Sequence, residues 1–221
     1  ASYRRQRQMC IRDRCSPVQF LGPKRYSFPT IDIELLPKID LIVISHNHYD
    51  HLDKNSVKIL GKDSSTVWYV PLGLKKWFDE LNIKNVIELD WFQERKLDNV
   101  EIICLPSQHW SKRSLFKSFD TLWSSWSLKV GNFKFWFAGD TGYNEIQFKK
   151  IGDEYGPFDL SAIPIGAYEP RWFMKSFHVN PEEAIFIHED IKSEKSIGMH
   201  FGTFVLTTCL LYTSDAADDR M

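Results

Sequence analysis

Residues 41–53 run Leu41-Ile42-Val43-Ile44-Ser45-His46-Asn47-His48-Tyr49-Asp50-His51-Leu52-Asp53, an apolar, β-branched run followed at once by three histidines and an aspartate within six residues. The apolar run reads as a short buried strand. Residues two apart on an extended chain project to the same side, so His46 and His48 can grip one ion. As the chain turns toward a helix, Asp50 and His51 can point at a second ion beside the first. Imidazole with one carboxylate suits zinc and comparable borderline metals better than magnesium or calcium. The competing reading is a solvated polar loop. Against it, further ligand-type residues follow at the ends of later predicted strands. His109 sits in Pro106-Ser107-Gln108-His109-Trp110, after a strand ending at Leu105. Asp140 sits in Phe137-Ala138-Gly139-Asp140-Thr141-Gly142, and His200 ends Ser196-Ile197-Gly198-Met199-His200. A sheet would deliver all of these to one edge.

Outward from this core, strand and helix signals alternate. Asp53 is a candidate N-cap for a helix over Lys54 to Leu60 that stops at Gly61. Val67 to Val70 is strand-like and closed by Pro71, and Leu74 to Leu81 has the apolar spacing of an amphipathic helix. Val86 to Leu89 and Val100 to Leu105 are two more strands. Trp126 to Val130, Gly131-Asn132 and Phe133 to Ala138 read as a hairpin with a two-residue turn. Asn180-Pro181-Glu182-Glu183-Ala184 is a helix start, with a capping Asn and proline in the first helical position. No internal repeat or low-complexity linker interrupts residues 16–208, so they read as one mixed α/β domain.

The 221 residues are too few for two ordinary domains, and 43% hydrophobic with 26% charged is a globular balance. A formal net charge of -1 gives no electrostatic case for a nucleic-acid partner. No apolar run approaches the roughly 18 residues of a spanning helix; with the true N-terminus read as missing, the compartment is left open, and a cytoplasmic or peripheral-membrane placement is the expectation. The 16 Phe, 8 Trp and 8 Tyr suggest a heavily packed sheet core or, in part, a surface that meets apolar substrate. The four cysteines have neither zinc-site nor disulfide-framework spacing, and Cys104 reads as a buried core thiol. The ends differ from the middle. Residues 1–15 hold five of the ten arginines, and residues 209–221 turn small and acidic. QRQMCIRDR and CLLYTSDAADD resemble translated sequencing adapter, so both ends are expected to be non-native, with N-terminal strands and a C-terminal helix missing.

The series H-x-H-x-D-H, lone His, Gly-Asp, final His is similar to the ligand pattern of the metallo-β-lactamase superfamily. That resemblance implies an αββα sandwich, truncated here, with two metals at one edge. It implies His46, His48 and His109 for one ion, Asp50, His51 and His200 for the other, and Asp140 bridging both. Two such ions would acidify a shared water and take up charge developing on an electrophile's oxygens.

A narrower resemblance is carried by Gly22 to Tyr26, Ser45 to Asp53, Ser107 to Ser111, Gly139 to Tyr143, Ile163 to Met174, His178 to Ala184 and His200 to Phe204. These segments are similar to the N-acylphosphatidylethanolamine-hydrolysing phospholipase D family and its bacterial relatives. Phe201 departs from the tryptophan expected there. The resemblance implies a zinc phosphodiesterase that releases N-acylethanolamine and phosphatidic acid from a glycerophospholipid. Asp50, Asp140 and His178 are the catalytic candidates; Tyr168, Arg171 and Trp172 are the substrate-binding ones. His178 either meets the phosphate or leaving oxygen, or holds the Tyr168 to Trp172 loop. Arg171 pairs with a phosphate, or with Glu169 or another acid. Trp110, Trp123, Trp126, Tyr143, Trp172 and Phe173 line an acyl groove or form core, while His188 reads as a surface residue. The alternatives are a lactonase or other metallo-hydrolase of small soluble substrates, and a metal-binding but inactive truncated product.

Overall fold

A computed structural model describes residues 14–18, 20–25, 27, 31, 33–114 and 118–209. The segments expected to be non-native lie outside these, apart from Arg14, Cys15 and Cys209. Cys209 is buried, and its Sγ accepts from the amides of Tyr168 (3.0 Å) and Glu169 (3.3 Å).

The first sheet is parallel and three-stranded: β1 (Leu41–Val43), β2 (Val67–Pro71) and β3 (Val86–Leu89), in that order. Helix α1 (Lys54–Leu60) links β1 to β2, and α2 (Lys75–Asp79) links β2 to β3. Asp53 caps α1 as expected, its carboxylate accepting from the Ser56 amide at 2.6 Å. Helix α2 is shorter than its apolar spacing suggests. Leu74 is an N-cap without a side-chain acceptor, and Asn82 takes a left-handed φ of 60° just beyond the last turn.

The second sheet has six strands in sequence order: β4 (Glu94–Leu97), β5 (Val100–Leu105), β6 (Ser125–Val130), β7 (Phe133–Phe137), β8 (Leu160–Pro164) and β9 (Ser196–Met199). Pairing is antiparallel through β7 and parallel from β7 to β9. The expected hairpin is β6–β7; Val130 pairs Phe133, and Gly131 supplies the positive φ of 60° that the two-residue turn requires. Helix α3 (Glu145–Glu154) crosses from β7 to β8; α4 (Arg171–Met174) and α5 (Pro181–Asp190) lie between β8 and β9. In α5, Asn180 and Glu183 form a reciprocal capping box with Pro181 at the start.

Side-chain alternation separates the layers. Trp68 and Val70 of β2 pack with Val57 of α1 and Phe78 of α2, while Val67 and Tyr69 face Ile102, Cys104 and Trp126 of the second sheet. On the far face of that sheet, Trp136 and Ile163 pack with Phe148 and Ile151 of α3 and Ala184 and Ile187 of α5. The order is helices, sheet, sheet, helices: the αββα sandwich that the sequence predicts. Cys104 lies at its centre, where burial pushes the thiol up to about 12. Because β5, β7, β8 and β9 run in one direction, their C-terminal loops leave from a single edge.

Candidate metal centre

That edge gathers all seven predicted ligands. Loops after β1, β5, β7 and β9 bring His46, His48, Asp50, His51, His109, Asp140 and His200 into two adjacent groups. One is His46, His48 and His109; the other is Asp50, His51, Asp140 and His200, and within each group the potential ligand atoms lie within 4.8 Å of one another. In the first, His48 Nδ1 is 2.9 Å from His46 Nε2 and 3.3 Å from His109 Nε2. In the second, Asp50 Oδ2 is 3.2 Å from both His51 Nε2 and His200 Nε2. Asp140 joins them. Its Oδ2 lies 3.0 Å from His51 Nε2, 3.5 Å from His200 Nε2, 3.8 Å from His109 Nε2 and 3.9 Å from His46 Nε2.

The donor set fits divalent metal on three grounds. Its chemistry, imidazole with two carboxylates, is that of zinc and comparable borderline ions. The ring of His109 is fixed: its Nδ1 lies 3.0 Å from the Phe177 carbonyl, which can only accept, so Nε2 presents a lone pair to the site. Finally, Asp140 Oδ1 and His178 Nδ1 are buried without a hydrogen-bond partner, a costly state in a closed site that an ion or polar ligand would relieve.

Electrostatics agree with this. Burial pushes His46 and His48 down and His109 down to about 3, so these rings are neutral and ready to ligate near neutral pH. Burial would raise the Asp140 carboxyl, but His200 and His51 beside it hold it well below the usual carboxylate range. Burial likewise opposes ionisation of His51, yet Asp140 and Asp50 drive it well above its ordinary value. His200 delivers its ring from a left-handed backbone, φ 62°, a conformation that costs a non-glycine residue about 1–3 kcal/mol.

The remaining candidates divide. His178 is drawn into the site, with Nδ1 3.9 Å from Asp140 Oδ2 and its ring stacked 5.8 Å from that of His200. Burial lowers its pKa to about 4. Arg171 has one guanidinium nitrogen, Nη2, on both carboxylate oxygens of Glu183 at 2.8 and 2.7 Å, so of the acids it could meet it is Glu183 and not Glu169 that takes the guanidinium. Tyr168 is half-buried after β8, whereas Trp172 and Phe173 on α4 are 87% and 59% exposed. Trp126 is core. Trp123 is half-buried, its indole donating to the Ser107 carbonyl, and Trp110 packs edge-on against His48 at 4.7 Å. His188, expected on the surface, is partly exposed, with Nδ1 2.8 Å from Ser196 Oγ.

One participant had no signal in the sequence. Arg113 donates to the Asn47 carbonyl at 3.0 Å, between His46 and His48 of the first group. Its guanidinium lies over the rings of Tyr49 (4.4 Å) and Trp77 (4.7 Å), and Tyr49 Oη donates to the Arg113 carbonyl at 2.9 Å. The ligand loop is thereby clamped from behind.

Comparison with known proteins follows the same lines. Residues 13–201 match the family model described as a β-lactamase superfamily domain. The chain is 47% identical over 210 residues to N-acyl-phosphatidylethanolamine-hydrolyzing phospholipase D 1 of Caenorhabditis elegans, covering 90% of this chain and 59% of that one. It is 39% identical to the mitochondrial N-acyl-phosphatidylethanolamine-hydrolyzing phospholipase D of Saccharomyces cerevisiae, over 85% of this chain and 41% of the yeast protein. The chain thus spans about half the length of these curated relatives. Among solved structures, a metallo hydrolase from Ignicoccus hospitalis shares the fold with a TM-score of 0.61 at 19% identity, covering 82% of this chain and 73% of the other. With the ligand groups at one edge of an αββα sandwich and a family model matching residues 13–201, the chain belongs to the β-lactamase superfamily, with the metallo-β-lactamase fold.

Proposed function

We propose that this chain is a dinuclear, zinc-type phosphodiesterase of the phospholipase D kind, acting on N-acylphosphatidylethanolamine-like glycerophospholipids. The observation that carries the proposal is the 47% identity, across 90% of the chain, to a protein named for that reaction. Two ions rather than one are favoured because Asp140 Oδ2 approaches histidines of both ligand groups. When bound, the metals would supply Lewis acidity and a water acidified toward neutrality.

The protein's own groups have separate tasks. Asp140 and Asp50 bring negative charge into the buried edge and would hold the cations there. Hydrolysis breaks the P–O bond to the N-acylethanolamine, water giving its hydroxyl to phosphorus and a proton to the departing oxygen. His178, whose buried Nδ1 is unpartnered beside Asp140, would offer an N–H to that oxygen or to a phosphoryl oxygen. Trp110, near Phe177 (6.2 Å) and Phe119 (6.3 Å), makes an apolar wall beside His48 for acyl chain. Tyr168 and the exposed Trp172 and Phe173 would extend this toward the lipid surface. Among the described residues no helix is long and apolar enough to cross a membrane.

The test is kcat/KM across N-acylphosphatidylethanolamines of increasing acyl length, with a small lactone as competitor substrate. Each buried CH₂ should add about 0.8 kcal/mol until the apolar wall is covered. A flat series with faster lactone hydrolysis would overturn the lipid assignment in favour of a small-substrate hydrolase.

A further inference from the structure

We infer that Arg171 is a positioning residue that acts on the reaction through His178, not through the substrate. The inference rests on the proposal that His178 faces the reacting phosphate. An arginine at the start of a short helix, beside exposed aromatics, looks at first like a phosphate anchor. Its geometry says otherwise. Both oxygens of Glu183 take its Nη2, at 2.8 and 2.7 Å. Nη1 donates to the His178 carbonyl at 2.9 Å and approaches the Tyr168 carbonyl at 3.4 Å. The Arg171 amide donates to Glu169 at 3.0 Å. A substrate phosphate could recruit this guanidinium only by separating it from a carboxylate that is itself 13% exposed.

These bonds converge on the backbone of His178. Its amide donates to the Met174 carbonyl at 2.9 Å, its carbonyl is held by Arg171, and the next amide, Val179, donates to Thr141 at 2.9 Å. Thr141 directly follows Asp140. Glu183 is meanwhile fixed by the capping box of α5, its carboxylate accepting from the Asn180 amide at 3.1 Å. The chain of contacts runs from the α5 N-terminus through Glu183 and Arg171 to His178, whose ring nitrogen stands 3.9 Å from the Asp140 carboxylate. Lysine cannot reproduce this, because its single ammonium nitrogen cannot stand both where Nη2 meets the Glu183 carboxylate and where Nη1 meets the His178 carbonyl.

The experiment is a double-mutant cycle on the intact chain with Arg171→Lys and His178→Ala, reading kcat, KM, bound metal and the ring NMR signals of the histidines in the metal-free protein. Arg171→Lys should lower kcat at least tenfold, with KM within twofold and metal content unchanged. In the His178→Ala background it should lower kcat no further, because the effect it transmits is already gone. Independently of turnover, Arg171→Lys should shift the His178 ring signal and leave that of His188 in place. Glu183→Gln, which keeps the arginine but weakens its anchor, should move the same signal. Losses that multiply in the double variant, or a rise in KM at constant kcat, would overturn the inference and make Arg171 a substrate contact. An unmoved His178 signal would overturn it as well. If His178→Ala alone keeps wild-type kcat, it is the proposed role of His178 that fails, and the ring signals still report whether Arg171 positions it.

Discussion

Asp140 Oδ2 has ring nitrogens of five histidines, His46, His51, His109, His178 and His200, within 3.9 Å, while its other oxygen is buried without a partner. The charge matters there more than the shape. Asp140→Asn keeps the volume but removes the anion that, in the proposed dinuclear site, would offset repulsion between two cations, so both bound metal and activity should fall by at least about 100-fold, judged by the 10–100-fold that even outer groups around a metal contribute. His188→Ala, which loses one contact to Ser196, should stay near wild type in both. Metal titration by calorimetry alongside turnover checks the pair; equal metal affinity in the two variants would remove Asp140 from the site. At this scale the ligands were legible because their side chains themselves supply the chemistry. Arg113 was not, because it works through a backbone carbonyl and two ring faces that no local spacing encodes.

Where β7 ends against the loop after β1, the two sheets leave no room for a side chain. Gly139 takes φ 61°, and a Cβ there would lie 2.6 Å from Ser45 Cβ and 2.9 Å from the Ser124 carbonyl. Gly139→Ala should therefore cost roughly 1–3 kcal/mol in denaturant midpoint, and weaken metal binding, since Asp140 follows directly. An unchanged midpoint would mean the contact relaxes freely. Elements with a local signature were visible beforehand: α1 with its Asp53 cap, β5, the β6–β7 hairpin, and the Asn-Pro start of α5. Strand β4 (Glu94–Leu97) was not, because an edge strand reading Glu-Arg-Lys-Leu is mostly solvated and lacks the apolar alternation of a core strand. Helix α3 carries an Asn144 cap, but its apolar pattern is weakened by an Ile146 that is 84% exposed. Helix α2 was overextended because the apolar spacing continues to Leu81, past the last helical residue Asp79.

Across the whole molecule the two sheets are joined by polar bonds as well as by packing. The Trp126 indole donates to the Ile44 carbonyl at 2.9 Å, and the Ser124 amide donates to the Ser45 carbonyl at 2.8 Å, both across the layer boundary at the metal edge. Trp126→Phe would leave the Ile44 carbonyl buried and unpaired at a cost of about 1–3 kcal/mol, before any loss of packing. The denaturant midpoint should fall with the slope unchanged, since the surface exposed on unfolding is nearly the same. A full wild-type midpoint would mean the sheets are held by packing alone. Layer order was readable from the strand and helix signals together with the family pattern, whereas this bond depends on two residues far apart in the chain. The strand directions also give the sandwich two unequal ends. Every ligand loop leaves from one; the other carries the Asp98-Asn99 and Gly131-Asn132 turns, and no atom lies within 4 Å of a Cβ placed on Gly131. Natural variation can therefore lengthen, graft or decorate the turns of the second end while the chemistry at the first is conserved, so descendants of one ancestor can acquire new attachments without renegotiating the reaction.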